Sequence, residues 1–153
     1  MKKTLVDINY IFKDVEADTF ETLIKKMSEP LINDHRVSEE FPYKVCEREQ
    51  IFPTGLPTEP YGVAIPHTDP EYVLENTISI AVLKQPLEMV VMGSDQEKVM
   101  VSIIFLLSLG ESNKQLNILK QLMKGFQDES ILTAFMKGTK EEIYQIAKEN
   151  MSL

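Results

Sequence analysis

The chain has little cysteine: Cys46 is the single one among 153 residues. One thiol excludes an internal disulfide and a thiolate metal site, and such sparing use of cysteine is typical of a reducing compartment. A cytoplasmic protein is therefore expected. Cys46 itself is interpreted as a small core residue on a helix and not as a reactive thiol.

Long hydrophobic runs are also missing. Residues 1–9 lack the apolar core of a signal peptide, and no window approaches the roughly 20 apolar residues that span a bilayer. The longest apolar run, 99–109, contains Ser102 and Ser108 and is interpreted as a buried strand. Because 43% of the residues are apolar and no repeat is present, residues 1–153 are expected to form a single domain.

Positive charge is scarce. The sequence holds 16 basic and 24 acidic residues, which gives a formal net charge of -8. Such a surface repels a phosphate backbone unless basic residues cluster, and here Lys2 and Lys3 form only a pair. Nucleic acid is therefore not an expected partner.

Apolar residues at spacings of three and four predict a helix from Asp18 to Ile32. The apolar stripe consists of Phe20, Leu23, Ile24, Met27 and Leu31. Asp18 or Thr19 is expected to cap its start, and Pro30 lies near its end. A second, short helix is predicted after Ser38, because Ser-Glu-Glu resembles a cap followed by an acidic first turn.

The middle of the chain predicts loops and strands. Residues 52–70 contain five prolines and two glycines, and no helical period survives there. Within this stretch, residues 63–65 fit a short buried strand that delivers His67 to the end of a sheet. Three further strands are predicted, at 78–83, at 99–109 and, shorter, at 87–92.

Helical patterns return after Gly110. The predicted helices carry Leu116, Leu119, Leu122 and Met123, then Ile131, Leu132 and Phe135, and finally a capping box at Thr139-Lys-Glu-Glu142. Helices thus come first and last, with strands gathered in the middle. This order predicts an α/β or α+β fold in which a mixed sheet is covered by helices.

His67 is the most informative residue, because it follows a short apolar segment and Pro66 in a loop. A neutral imidazole, whose unperturbed pKa is about 6.5, is a nucleophile that can accept and release a phosphoryl group. The alternative is a structural histidine in a tight turn, and position alone does not separate the two. The other histidine, His35, is far away in sequence and no metal-ligand spacing is present, so a metal-dependent hydrolase is not expected.

The segment before His67 contains a more specific pattern. An Arg48-Glu49 pair is followed by a loop with Thr54 and then by Gly62-Val-Ala-Ile-Pro-His67. This pattern resembles the enzyme IIA family of the sugar phosphotransferase system, fructose and mannitol type. The resemblance implies a mixed five-stranded sheet flanked by helices, in agreement with the independent prediction above.

The resemblance also implies a function for His67. In this family the histidine takes a phosphoryl group from the histidine-containing phosphocarrier protein HPr and passes it to a cysteine of a IIB subunit. That subunit serves a membrane IIC transporter, and no cofactor or metal is implied. Segments 53–58 and 66–69 are most similar to the galactitol-type branch. The alternative is a regulatory module in which phosphorylation of His67 alters binding to a target protein.

Two motif residues are expected to act beside His67. Arg48 is the natural counter-charge, because a guanidinium fork binds phosphoryl oxygens. Its alternative role is a surface salt bridge with Glu47 or Glu49. Glu49, the second member of the pair, is expected to support the site.

Four more residues are candidate supports. Thr54 and Thr68 could donate hydroxyl hydrogen bonds to a phosphoryl group or stabilise turns. Asp69 would repel a nearby phosphate, but it could cap the following segment or hold an imidazole N–H. Many family members have a second histidine after the long central strand, and Gln115 stands at the matching place. Its amide is expected to donate to a phosphoryl oxygen.

Overall fold

Five strands form one mixed sheet in the computed structural model, which describes residues 4–153 except the side chains of residues 112–114. The strands are β1 (Val6–Val15), β2 (Gly55–Leu56), β3 (Gly62–Ala64), β4 (Thr77–Val90) and β5 (Lys98–Ser108). They lie in the order β1-β4-β5-β3-β2. The pairs β1/β4 and β3/β5 are parallel, whereas β4/β5 and β2/β3 are antiparallel. The predicted mixed five-stranded sheet of an α/β fold is confirmed.

Helices cover both faces of the sheet. They are α1 (Phe20–Asn33), α2 (Phe41–Ile51), α3 (Ser112–Gly125), α4 (Glu129–Lys137) and α5 (Lys140–Glu149). The apolar residues of α1 and α2 pack on one face, and those of α3, α4 and α5 pack on the other. The side chains of β5 point alternately into the two cores: Phe105 packs with α3, α4 and α5, and Leu106 packs with α1 and α2. Its buried run explains why the sequence shows continuous apolar residues there.

Two predicted helix starts, those of α1 and α5, are confirmed by their caps. The predicted cap at Ser38 is wrong, because α2 begins at Phe41 after Glu40 and no side chain caps it. The Thr19 side chain accepts a hydrogen bond from the backbone N–H of Thr22 at the start of α1. At α5, Thr139 and Glu142 form the reciprocal capping box that the sequence predicted. Among the described residues, no helix combines the length and the hydrophobicity needed to cross a membrane.

Two strand predictions were wrong. The first element of the chain is a strand, β1, although the residue pattern predicts helices first. Its period-two signal, Val6, Ile8, Tyr10 and Phe12, is interrupted by a register shift against β4 that buries the neighbouring Ile11. The predicted strands 78–83 and 87–92 are parts of one strand, β4, because a register shift after Val82 lets pairing with β5 continue.

The strand that leads to His67 fits against β5 only because Gly62 has no side chain. A Cβ at Gly62 would lie 2.4 Å from the carbonyl oxygen of Met100, which is less than any real contact allows. The parallel pairing of β3 with β5 continues as an isolated bridge between His67 and Leu107. The position of His67 therefore depends on this close approach.

We expect Gly62→Ala to lower the free energy of unfolding by about 2 kcal/mol or more, because backbone must move to accept the methyl group. Gly93→Ala is the control. Gly93 has φ +80 and open space around it, so this variant should lose only about 1 kcal/mol of unfolding free energy, through backbone strain. Urea denaturation measures both variants. Equal losses would contradict the close approach of β3 to β5.

Candidate functional site

One ring nitrogen of His67 is occupied by the backbone. Nδ1 lies 2.8 Å from the carbonyl oxygen of Ile65, two residues earlier. A carbonyl can only accept a hydrogen bond, so Nδ1 of the neutral ring carries the proton and donates it. The backbone of the loop is held in turn, because the N–H of Leu107 donates to the carbonyl of Pro66 at 3.0 Å. Nε2 is left with the lone pair that a nucleophile needs.

The environment keeps this ring neutral. Burial lowers the pKa of His67 below its ordinary value of 6.5, and the positive charge of Arg48 lowers it further. The hydrogen bond to Ile65 and the negative charge of Asp69 act in the opposite direction without reversing the result. His67 therefore holds an uncharged, nucleophilic imidazole at neutral pH.

Arg48 reaches the loop of His67 from helix α2. Its Nη1 lies 3.5 Å from Oδ1 of Asp69, and its guanidinium stacks over the ring of Phe52 at 5.0 Å from the centroid. Arg48, Thr68 and Asp69 are among the residues that line a small open cavity of about 170 Å³. The site thus presents a guanidinium that stacks on Phe52 and whose ion pair with Asp69 is long and exposed.

Arg48 pairs with neither Glu47 nor Glu49, the partners named for its alternative role. Oε2 of Glu47 lies 3.8 Å from Nζ of Lys44, one turn earlier in α2. The carboxylate of Glu49 accepts hydrogen bonds from Thr54. Asp69 also departs from both of its predicted roles. Its side chain caps no helix, and the imidazole N–H is taken by a carbonyl. Sequence distance hid the pairing of Arg48 with Asp69, which are 21 residues apart.

Glu49 and Thr54 form a buried pair. The backbone N–H of Thr54 donates to Oε2 of Glu49 at 2.8 Å, and the Thr54 hydroxyl donates to Oε1 at 2.7 Å. Burial raises the pKa of Glu49 to about 7, although both hydrogen bonds from Thr54 lower it. With 4% of its surface exposed, Thr54 faces the carboxylate and not the solvent.

Gln115 supports the same loop from the other face of the sheet. Its Nε2 donates to the carbonyl of Leu109 at 3.0 Å and to that of Thr68 at 3.3 Å. Both amide hydrogens are therefore directed at backbone oxygens. Thr68 is 5% exposed, so the loop that carries His67 is bordered by a buried side chain.

The remaining candidates lie apart from this loop. His35 is exposed in the turn after α1, with φ 57. Burial raises the pKa of Cys46 to about 11, so this thiol stays protonated at neutral pH. Among the side chains that the structure describes, no three His, Cys, Asp or Glu residues converge as metal ligands. The sequence does not predict that the carbonyl of Ile65 binds His67, because every residue has a backbone carbonyl and its direction depends on the fold.

The sequence matches one protein-family model from residue 4 to residue 150, that of the phosphoenolpyruvate-dependent sugar phosphotransferase system, EIIA 2. The chain belongs to this family. The match includes every residue placed around His67 above. The match does not test the finer assignment to the galactitol-type branch.

Two curated proteins are similar to the chain over part of their length. The chain is 31% identical over 120 residues to multiphosphoryl transfer protein 1 of Escherichia coli, a match that covers 77% of this chain and 13% of that protein. It is 29% identical over 132 residues to the transcriptional regulator ManR of Bacillus subtilis, covering 86% of this chain and 18% of ManR. The chain thus spans less than a fifth of each of these curated relatives.

A solved structure shows the same fold. The complex of enzyme IIAMTL and phosphorylated enzyme IIBMTL from Escherichia coli contains a chain that superimposes with a TM-score of 0.73 at 18% identity. The match covers 90% of this chain and 92% of that chain. At this identity the likeness concerns the arrangement of strands and helices.

We expect Thr54→Val to raise the pKa of Glu49 above its value of about 7, because the variant removes one of two hydrogen bonds that stabilise the carboxylate. Carbon-detected NMR titration of the Glu49 carboxyl measures the shift. Thr58→Val is the control, since the Thr58 hydroxyl donates to the carbonyl of Tyr61 and not to Glu49. An unchanged midpoint in Thr54→Val would refute the pairing.

Proposed function

We propose that this chain is a phosphocarrier whose His67 accepts a phosphoryl group and passes it to another protein. The observation that carries the proposal is the state of the imidazole: Nδ1 is bound to a carbonyl, Nε2 holds a lone pair, and the ring is neutral. A nucleophile that must also act as a leaving group needs this combination. Membership of the EIIA 2 family supports the same reading.

The proposed donor is the phosphohistidine of HPr. Nε2 of His67 attacks the phosphorus in line, and the bond to the donor nitrogen breaks while its electron pair stays on the donor ring. As Nε2 gains its bond, the His67 ring becomes cationic. The Nδ1–H bond to the carbonyl of Ile65 then grows stronger, because its donor carries charge. The anchored tautomer thus favours transfer to Nε2.

Arg48 supplies the charge that opposes the transferred group. Its pair with Asp69 is 3.5 Å long and exposed, and such pairs contribute little to stability. The guanidinium can therefore exchange the Asp69 carboxylate for phosphoryl oxygens, which it binds as a fork. Thr54, Thr68, Glu49 and Gln115 are proposed as supports of the loop, in line with their contacts to one another and to the backbone.

The onward acceptor in this proposal is a cysteine of a IIB subunit, in a cytoplasmic step that supplies a membrane IIC transporter. The related complex, which joins enzyme IIAMTL to phosphorylated enzyme IIBMTL, supports this class of partner. Segments 53–58 and 66–69 favour the galactitol-type branch for the transported sugar. Residues 1–153 act in this role as a single domain.

A regulatory role is the second candidate, and the 29% identity to the transcriptional regulator ManR favours it. The same chemistry at His67 would then alter binding to a target protein. Onward transfer separates the two roles, because a carrier loses its phosphoryl group to a IIB subunit within the assay.

We expect the chain, mixed with phosphoenolpyruvate, enzyme I and HPr, to gain one acid-labile, alkali-stable phosphate. Intact-mass spectrometry measures the adduct. His67→Ala should abolish it, because that variant removes the nucleophile. His35→Ala is the matched control and should keep it, since His35 is exposed in a turn outside the site.

Each outcome has a clear meaning. A folded wild-type chain that gains no phosphate from an active donor would refute the phosphocarrier role. An adduct that survives His67→Ala would move the site to another residue. Loss of the adduct on adding a IIB subunit supports the carrier, whereas retention of the adduct supports the regulatory role.

We expect Arg48→Ala to slow phosphoryl transfer by about 10²-fold, because a charged donor to the transferring group is lost. Arg48→Lys should recover only part of the rate, since an ammonium keeps the charge but not the fork. Lys44→Ala is the control, because Lys44 lines the same cavity from the same helix. Rapid-quench kinetics measures the rates, and equal effects at positions 44 and 48 would contradict a specific role for Arg48.

A further inference from the structure

Glu49 is connected to His67 by a short series of hydrogen bonds. Its carboxylate accepts from the N–H and from the hydroxyl of Thr54. The carbonyl of Thr54 accepts from the N–H of Ile65 at 3.4 Å, and the carbonyl of Ile65 accepts from Nδ1 of His67 at 2.8 Å. Two residues, Thr54 and Ile65, therefore separate the buried carboxylate from the imidazole.

Glu49 is joined to Thr54 by two hydrogen bonds. Oε2 holds the backbone and Oε1 holds the side chain, so neither can turn without breaking a bond. Thr54 is 4% exposed, and water cannot easily replace either partner. Removal of the carboxylate would leave two buried donors, the N–H and the hydroxyl of Thr54, without their acceptors.

The strand that follows Thr54 is short and lies at the edge of the sheet. Strand β2 has two residues, Gly55 and Leu56, and its ladder with β3 consists of two residue pairs. The bond from Thr54 to Ile65 lies directly beyond this ladder, at the point where the chain leaves β3. Thr54 therefore holds the N–H of Ile65, while Leu107 of β5 holds the adjoining Pro66 and His67.

Glu49 does not act as the counter-ion of its neighbour Arg48. Both carboxylate oxygens face Thr54, whereas the guanidinium pairs with Asp69 and stacks on Phe52. The two residues of the Arg-Glu motif therefore have different contacts. Arg48 faces the open cavity, and Glu49 faces the loop from within.

We infer that Glu49 is a positioning residue for His67: through Thr54 and Ile65 it holds the carbonyl that keeps the proton on Nδ1 and leaves Nε2 free. The consequence for the rate of phosphoryl transfer rests on the proposed function. The consequence for the tautomer of His67 does not. Glu49 touches neither the imidazole nor any transferred group.

The experiment compares Glu49→Ala with Glu49→Gln in the full chain. Alanine removes both contacts to Thr54. Glutamine can keep both without charge, because its carbonyl oxygen accepts the N–H and its amide donates to the Thr54 hydroxyl. Glu47→Ala is the matched control, since Glu47 lies on the same helix and pairs with Lys44. The readouts are the imidazole ¹⁵N shifts of His67, which report the tautomer, and the rate of phosphorylation by HPr.

We expect Glu49→Ala to shift the His67 ¹⁵N signals away from the Nδ1–H tautomer and to slow transfer by about tenfold or more, since small displacements of reacting groups are costly. Glu49→Gln and Glu47→Ala should resemble the wild type in both readouts. A folded Glu49→Ala with unchanged ¹⁵N shifts would overturn the inference. So would Glu49→Gln if it behaved like Glu49→Ala, because charge and not position would then be responsible.

Two further measurements keep the outcome clear. If circular dichroism shows that Glu49→Ala does not fold, Thr54→Val replaces it and removes a single hydrogen bond. Unchanged ¹⁵N shifts in folded Thr54→Val would then overturn the inference. If the wild-type chain takes no phosphate from HPr, the proposed function fails, while the ¹⁵N shifts of the same variants still decide the role of Glu49.

Discussion

The arrangement of the site depends on strand β5, which pairs with both β4 and β3 and is buried from Val101 to Ser108. Its side chains enter both cores, so it cannot shift in register without moving apolar residues to the wrong face. The backbone of His67 continues the parallel pairing at Leu107. Strand β5 therefore positions the loop that carries the imidazole.

Two carboxylates near this loop have opposite surroundings and opposite uses. Burial brings the pKa of Glu49 to about 7, and both of its oxygens are bound to one threonine. Asp69 is exposed and holds Arg48 at 3.5 Å, a pair loose enough to be exchanged for another anion. The buried carboxylate fixes structure and the exposed one keeps a charged group available. The neutral imidazole of His67 combines a fixed ring with a free nitrogen.

Residues far apart in sequence explain where sequence reasoning failed. Proximity in α2 suggests Glu47 or Glu49 as ion-pair partners of Arg48, but the partner is Asp69, in the loop that follows His67. Strand β1 was missed because its alternating pattern is broken by a shift against β4. The amide of Gln115 donates to the carbonyls of Thr68 and Leu109, contacts that its residue type does not predict. Each case depends on the position of backbone that local patterns do not describe.

The sequence by itself determined the helices of the two flanks, the buried strand β5, the capping box at Thr139 and the motif that ends at His67. These features follow from periodicity, local hydrogen bonding and residue type, which act over a few residues. Only the tertiary structure decided which nitrogen of His67 is free, which acid holds Arg48 and what Glu49 binds. Those answers depend on distances between atoms of separate elements, and the packing of the two cores against the sheet sets these distances.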